Sequence, residues 1–134
     1  MDIKKIDHVG IVVKDIDSSI HKYEELLGLK YLYKEYNEDF QCFIAFFDCA
    51  GVLVELVQPV GPSSAKTWLE TRGEGINHIC YEVDDIYAAF KEARDNDITD
   101  YEKPLTGAGN SKVFFLKEEK LCSVQTELVE LKKN

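Results

Sequence analysis

The chain has 134 residues, enough for one compact domain or for two half-domains too small to be stable apart. With 45% hydrophobic and 31% charged residues it has an ordinary globular balance, which excludes intrinsic disorder. A net charge of −9 excludes non-specific binding to nucleic acid or to an anionic membrane, and any anionic substrate must find a locally basic patch. The apolar runs, such as Cys42 to Phe47, are far too short to span a bilayer. The opening Met-Asp-Ile-Lys-Lys-Ile lacks the pattern of a secretory signal, so a cytoplasmic location is expected. Cys42, Cys49, Cys80 and Cys122 match no zinc or redox spacing and read as small hydrophobes.

In chain order, a strand through Ile6–Val13 leads into a helix whose stripe is Ile16, Ile20, Tyr23 and Leu27. Asp15 is its expected N-cap, and Gly28 the left-handed residue that ends it. A short strand is expected over Leu29–Tyr36. Two β-rich runs follow, Phe40–Asp48 and Val52–Pro59, joined by a tight Cys49-Ala50-Gly51 turn. Pro59-Val-Gly-Pro62 is a turn cluster, after which Ser63 or Ser64 caps a short helix through Arg72 that Gly73-Glu-Gly75 ends. A strand through Ile76–Val83 comes next, then a helix capped by Asp85 with the stripe Ile86, Phe90 and Ala93 and a left-handed Asn96. A short strand over Ile98–Glu102 and the runs Lys112–Lys117 and Ser123–Leu131, joined across Glu118–Leu121, complete the chain.

This order is a repeat. Ile6 to Ile16 aligns without a gap on Ile76 to Ile86, and Ile6, His8, Val13, Asp15 and Ile16 recur identically as Ile76, His78, Val83, Asp85 and Ile86. The expected organisation is one α+β domain over 1–134 made of two tandem βαβββ modules, 1–62 and 76–134, with a linking helix over 63–75.

Strand alternation assigns the faces. Val9, Ile11 and Val13 share one face, as do Ile79, Tyr81 and Val83, and each row should pack against its own module's helix. His8 and His78 then point the other way. The last strand of each half carries a glutamate inside an apolar run, Glu55 in Val52-Leu-Val-Glu-Leu-Val57 and Glu127 in Val124-Gln-Thr-Glu-Leu-Val129. Either these acids face solvent on edge strands, or the repeat gathers two His and two Glu around one ion. The symmetric set favours the second reading, because two carboxylates in apolar strands repel unless a cation or protons compensate them. Such a set suits Co, Ni, Mn, Fe or Zn. His21 has Lys91 as its counterpart and lies off the helix stripe, and Gln58 and Glu130 alternate away from the two glutamates.

The chain resembles the vicinal oxygen chelate superfamily and, within it, the methylmalonyl-CoA epimerases. The resemblance is carried by Ile6-Asp-His-Val-Gly-Ile-Val-Val-Lys14, Tyr23-Glu-Glu-Leu-Leu-Gly28, Val54-Glu-Leu-Val-Gln-Pro59, Arg72-Gly-Glu-Gly-Ile-Asn-His-Ile79, Glu82-Val-Asp-Asp-Ile86 and Gly107-Ala-Gly109. It implies an open, cupped β-sheet barrel around one metal site, with ligands at His8, Glu55, His78 and Glu127. It also implies proton abstraction next to a carbonyl or thioester, with Glu127 as the catalytic carboxylate. The expected partners are a small-molecule acyl-CoA thioester or glutathione adduct and a second copy of the chain, with neither nucleic acid nor membrane. Gly107-Ala-Gly109 with Lys112, Lys66 or Arg72 could meet the anionic CoA end. Two departures stand out. The position where some members carry a second-strand acid is Ile44, and the usual His-Pro-Lys and Gly-Val-Leu stretches are replaced by Leu116-Lys-Glu-Glu119 and Ser123-Val-Gln125. A glyoxalase-type lactoylglutathione lyase, which needs no second-strand acid, is the nearest alternative. A metal-free antibiotic-binding module is the alternative from another class.

Overall fold

The structure is a computed structural model and describes residues 1–133. Its elements run β1 (Ile3–Val12), α1 (Ile16–Leu27), β2 (Lys30–Asn37), β3 (Cys42–Cys49), β4 (Val52–Pro59) and α2 (Ser64–Arg72). They continue as β5 (Gly75–Val83), α3 (Ile86–Asp95), β6 (Leu105–Thr106), β7 (Lys112–Leu116) and β8 (Thr126–Glu130). This is the α+β order expected, βαβββ twice with a helix between. By internal contacts residues 8–77 form one compact unit, and residues 1–7 with those from His78 onward form the other.

In the first unit β1 runs parallel to β4, which pairs antiparallel with β3, and β3 with β2. The β3–β4 hairpin turns on two residues, Ala50 (φ 53) and Gly51 (φ 92), both left-handed as a tight twisted hairpin requires. The Asp48 carboxylate accepts from the Gly51 N–H at 3.1 Å and fixes that turn. The core lies between this sheet and α1: Val13, Ile16, Ile20, Ala45, Phe47 and Leu56 are buried together, with Ile11 and Tyr23 packed on them. The helix begins where the Asp15 side chain accepts from Ser18 N–H. Ser63 is the residue that caps α2, accepting from Lys66 N–H at 3.1 Å.

The second unit repeats the plan. β5 runs parallel to β8, which pairs antiparallel with β7, and β7 with β6. Val83, Ile86, Ala89, Ala93, Phe114 and Leu128 form its core, joined by Tyr81 and Phe90. Asp85 caps α3 by accepting from Tyr87 and Ala88 N–H, both at 3.1 Å.

Several expectations shift. Leu27 is 63% exposed, so the α1 stripe ends at Tyr23. Gly28 turns left-handed at φ 68 and donates to Glu24 O, and the reversal returns Leu29 to the core in place of Leu27. In α3 the left-handed residue is Asp97 (φ 55), one place after Asn96 (φ −98). Asp97 N–H bonds Arg94 O and Ile98 N–H bonds Ala93 O, the paired bonds of a Schellman ending that carries Ile98 onto Ala93. Ile98–Glu102 is not a strand. The Ile98 carbonyl accepts from Lys117 N–H at 2.7 Å, Thr99 Oγ1 bonds Phe115 O at 2.6 Å, and pairing resumes only after Pro104, at Leu105. The last strand begins at Thr126 instead of Ser123, because Cys122 and Ser123 take positive φ in the turn that precedes it.

Gly28→Ala should cost about 1–2 kcal/mol, since its left-handed φ penalises any Cβ although space there is open. Leu27→Ala should change stability by less than about 0.5 kcal/mol. Urea denaturation of both variants checks the pair.

Candidate functional site

Parallel pairing brings a histidine beside a glutamate in each half. In β1 and β4, His8 lies opposite Leu53 and Gly10 opposite Glu55. In β5 and β8, Ile79 lies opposite Thr126 and Cys80 opposite Glu127. In both pairings the residue two places after the histidine is the partner of the glutamate. The register, and not only the residue types, is therefore duplicated. His8 Nε2 stands 3.6 Å from Glu55 Oε1, and His78 Nε2 stands 3.4 Å from Glu127 Oε1. His8, Glu55, His78 and Glu127 are only 5%, 7%, 6% and 7% exposed, so neither acid faces solvent.

These separations exceed an ordinary N–H···O bond, and suit two donors turned towards a common ion. Burying an ionised carboxylate costs roughly several kcal/mol unless a cation or strong hydrogen bonds compensate it. One buried imidazole nitrogen and one buried carboxylate oxygen per half are the donors that borderline divalent metals accept. On that chemistry the residues fit a metal.

Each pair is walled by a phenylalanine from the neighbouring strand. Phe46 lies opposite Glu55 and its ring meets His8 edge to face at 5.9 Å and 76°. Phe115 lies opposite Glu127 and meets His78 at 5.3 Å and 78°. Tyr33 packs on Phe46, and Tyr101 on Phe115. Burial pushes the Tyr101 phenol well above its ordinary range and the Glu127 charge adds to the shift.

The opposite face of each last strand holds the helix. Gln58 Oε1 accepts from the Ile16 N–H at 2.9 Å, and Glu130 Oε1 accepts from the Ile86 N–H at 2.9 Å. Neither role was read from the sequence. The signal was present as Glu55-x-x-Gln58 over Glu127-x-x-Glu130, an acid on one face followed three residues later by an acceptor on the other. Phe46 was missed as well, because the expected three-residue turn Cys49-Ala50-Gly51 would set Ala45 opposite Glu55, whereas the turn is Ala50-Gly51 and sets Phe46 there. Phe115 was missed because an irregular turn separates β7 from β8.

His21 is exposed on α1, 3.4 Å from Glu25, as expected of a solvated helix residue. Lys112 Nζ donates to Thr106 Oγ1 at 3.1 Å, and the Arg72 guanidinium stacks 4.0 Å over Trp68. In the Gly107–Ser111 loop a Cβ on Gly107 would come within 2.8 Å of Ser111 Oγ and Val113 Cγ1.

Residues 7–115 match the model of the Glyoxalase/Bleomycin resistance protein/Dioxygenase superfamily, and the chain belongs to that family. It is 34% identical to the ethylmalonyl-CoA/methylmalonyl-CoA epimerase of Cereibacter sphaeroides, over 95% of this chain and 99% of that one. It is 32% identical to the "Probable lactoylglutathione lyase" of Vibrio parahaemolyticus, over 85% of this chain and 83% of that one. Among solved structures, Streptomyces coelicolor methylmalonyl-CoA epimerase in complex with 2-nitronate-propionyl-CoA superposes with a TM-score of 0.91 at 28% identity, covering 98% of this chain and 100% of that one.

Glu130→Ala should lower stability by about 1 kcal/mol through loss of the Ile86 bond, and Glu130→Gln should restore most of it. Both variants should take up metal like the parent in a chelator-competition titration. A loss of uptake in Glu130→Gln would place Glu130 among the ligands.

Proposed function

We propose that the chain is a metal-dependent isomerase that removes the proton alpha to the carbonyl of an acyl-CoA thioester, and that it epimerises methylmalonyl-CoA. His8, Glu55, His78 and Glu127 together hold one divalent ion, Co, Ni, Mn, Fe or Zn. The observation that carries this reading is the buried His–Glu pair set in the same register in both halves. The epimerase relatives and the 0.91 superposition support the substrate class.

The ion, when bound, supplies a Lewis acid that polarises the substrate carbonyl. The protein does the remaining work. Glu127 takes the α-proton, as a carboxylate held in a dry, fixed position can. Phe46 and Phe115 exclude water from the two His–Glu pairs, which strengthens every charge interaction there. Tyr101 adds a neutral donor on the Glu127 side.

One observation favours a second reading, a lactoylglutathione lyase-like reaction. Beside Phe46, the face of β3 turned towards Glu55 offers Ile44, which is buried and carries no proton-transfer group. The acid on that face, Asp48, accepts from the Gly51 N–H in the hairpin turn. A lyase that uses one metal-ligating glutamate as base needs nothing more. The epimerase reading requires the second proton transfer to come from elsewhere. By resemblance the working form is a cytoplasmic homodimer.

The deciding experiment incubates the metal-loaded protein with methylmalonyl-CoA in D₂O and follows the α-proton by NMR. Deuterium uptake with inversion supports the epimerase. No uptake from a fully loaded protein excludes it, and turnover of the glutathione hemithioacetal of methylglyoxal would then establish the lyase. A purified protein that binds none of Co, Ni or Zn would instead point to a metal-free binding module. Glu127→Gln should lower turnover by at least about 100-fold while metal binding falls less; equal losses would remove its role as base.

A further inference from the structure

Each half contains the same aromatic stack on its histidine, with the outer ring supplied by non-equivalent backbone. In the first half Tyr33 packs on Phe46 at 5.4 Å and 41°, and Phe46 meets His8 at 76°. In the second, Tyr101 packs on Phe115 at 6.2 Å and 38°, and Phe115 meets His78 at 78°. Tyr33 comes from the regular strand β2, whereas Tyr101 comes from the irregular segment between α3 and β6. The phenylalanines also sit differently in sequence. Phe46 precedes its core-facing neighbour Phe47, while Phe115 follows its core-facing neighbour Phe114. The local sequence differs on both counts, yet the ring geometry at the histidine agrees within a few degrees.

We propose that Phe46 and Phe115 are positioning residues that fix the ring orientation of His8 and His78, and so set the strength of the metal site. The inference rests on reading those two histidines as ligands. An imidazole has a broad, roughly two-fold torsion about its Cβ–Cγ bond, so its backbone alone does not decide where Nε2 points. A ring crossing it edge to face removes much of that freedom, because the positive edge of one ring is attracted to the negative face of the other. Phe46 and Phe115 are also the direct cross-strand partners of Glu55 and Glu127, so one side chain packs against both members of a pair. Neither belongs to the buried clusters under α1 and α3, where Phe47 and Phe114 are found.

The test compares Phe46→Leu and Phe115→Leu with Phe47→Leu and Phe114→Leu in the full chain. Three readouts are taken on each: Co²⁺ affinity by chelator competition, thermal midpoint, and long-range ¹H–¹⁵N spectra of the histidine rings without metal. Phe46→Leu and Phe115→Leu should each weaken Co²⁺ by about tenfold and broaden or shift the signals of the adjacent histidine. Phe46→Tyr and Phe115→Tyr should restore affinity, since the ring remains. The Phe47 and Phe114 variants should lose at least as much thermal stability while Co²⁺ affinity stays within about twofold. Affinity that follows the thermal midpoint across all four leucine variants overturns the proposal, as does unchanged affinity in the first two. If the parent binds no Co²⁺, the ligand reading fails by itself. The metal-free spectra still decide the positioning role, and unaltered histidine signals in Phe46→Leu and Phe115→Leu would refute it.

Discussion

In each half the first strand lies parallel to the last, and from this pairing the rest of the module follows. Two parallel strands cannot be joined by a hairpin, so the chain must leave the sheet, cross it and return. The crossover after β1 is α1 with β2 and β3, and the crossover after β5 is α3 with β6 and β7. The helix covers one face of the paired strands with Ile16 and Ile20, or Ile86 and Ala93, and leaves the histidines on the other. The same pairing sets His8 beside Glu55 and His78 beside Glu127 across long stretches of chain. On the reverse face of β4 and β8, Gln58 and Glu130 reach the first free N–H of the helix. One strand thus holds the carboxylate on one side and the helix on the other.

That arrangement accounts for where charge is tolerated. At the start of α3 the Glu130 carboxylate meets a free N–H and the positive end of the helix, so a negative charge there is favourable. Gln58 fills the equivalent position without charge and gains only the hydrogen bond. On the other face an imidazole is the near neighbour of both Glu55 and Glu127. The single acid on the helix side, Glu130, is therefore not equivalent to the two on the other: Glu130 meets backbone, whereas Glu55 and Glu127 each lie beside an imidazole.

Legibility in the sequence followed the range of the interaction. Asp15, Asp85 and Gly28 were readable, and the α2 cap was narrowed to Ser63 or Ser64, because caps depend on a few neighbouring residues. The pairing of His8 with Glu55 and of His78 with Glu127 was readable only because it occurs twice in one chain. The helix ends were less so. Leu27 has the right spacing for the α1 stripe, but the reversal at Gly28 gives its place to Leu29, and no periodicity rule contains that step. Asn96 and Asp97 both tolerate the left-handed region, and the Schellman bonds of Asp97 and Ile98 decide between them. The strand expected at Ile98–Glu102 failed because its apolar residues pack inward while its backbone bonds to the end of β7. Gln58 and Glu130 were set aside for facing away from the ligands, and that orientation is what makes them helix anchors.

The places where the repeat is not exact bear on how such a site reads its substrate. In the proposed site a strictly two-fold set of ligands would present the same surface to both ends of a bound molecule, and so could not favour one orientation over the other. A thioester with a carboxylate at one end and a long CoA arm at the other requires that choice to be made. β2 has eight residues and its second-half counterpart β6 has two, so the walls around the two His–Glu pairs differ in extent. Tyr33 is 42% exposed, whereas Tyr101 is half-buried with the Glu127 charge nearby. These departures make the surroundings of the two His–Glu pairs unequal in extent and exposure. In the proposed reaction the duplicated residues carry the metal and the base, and the unduplicated surroundings are what would let the two carboxylates differ.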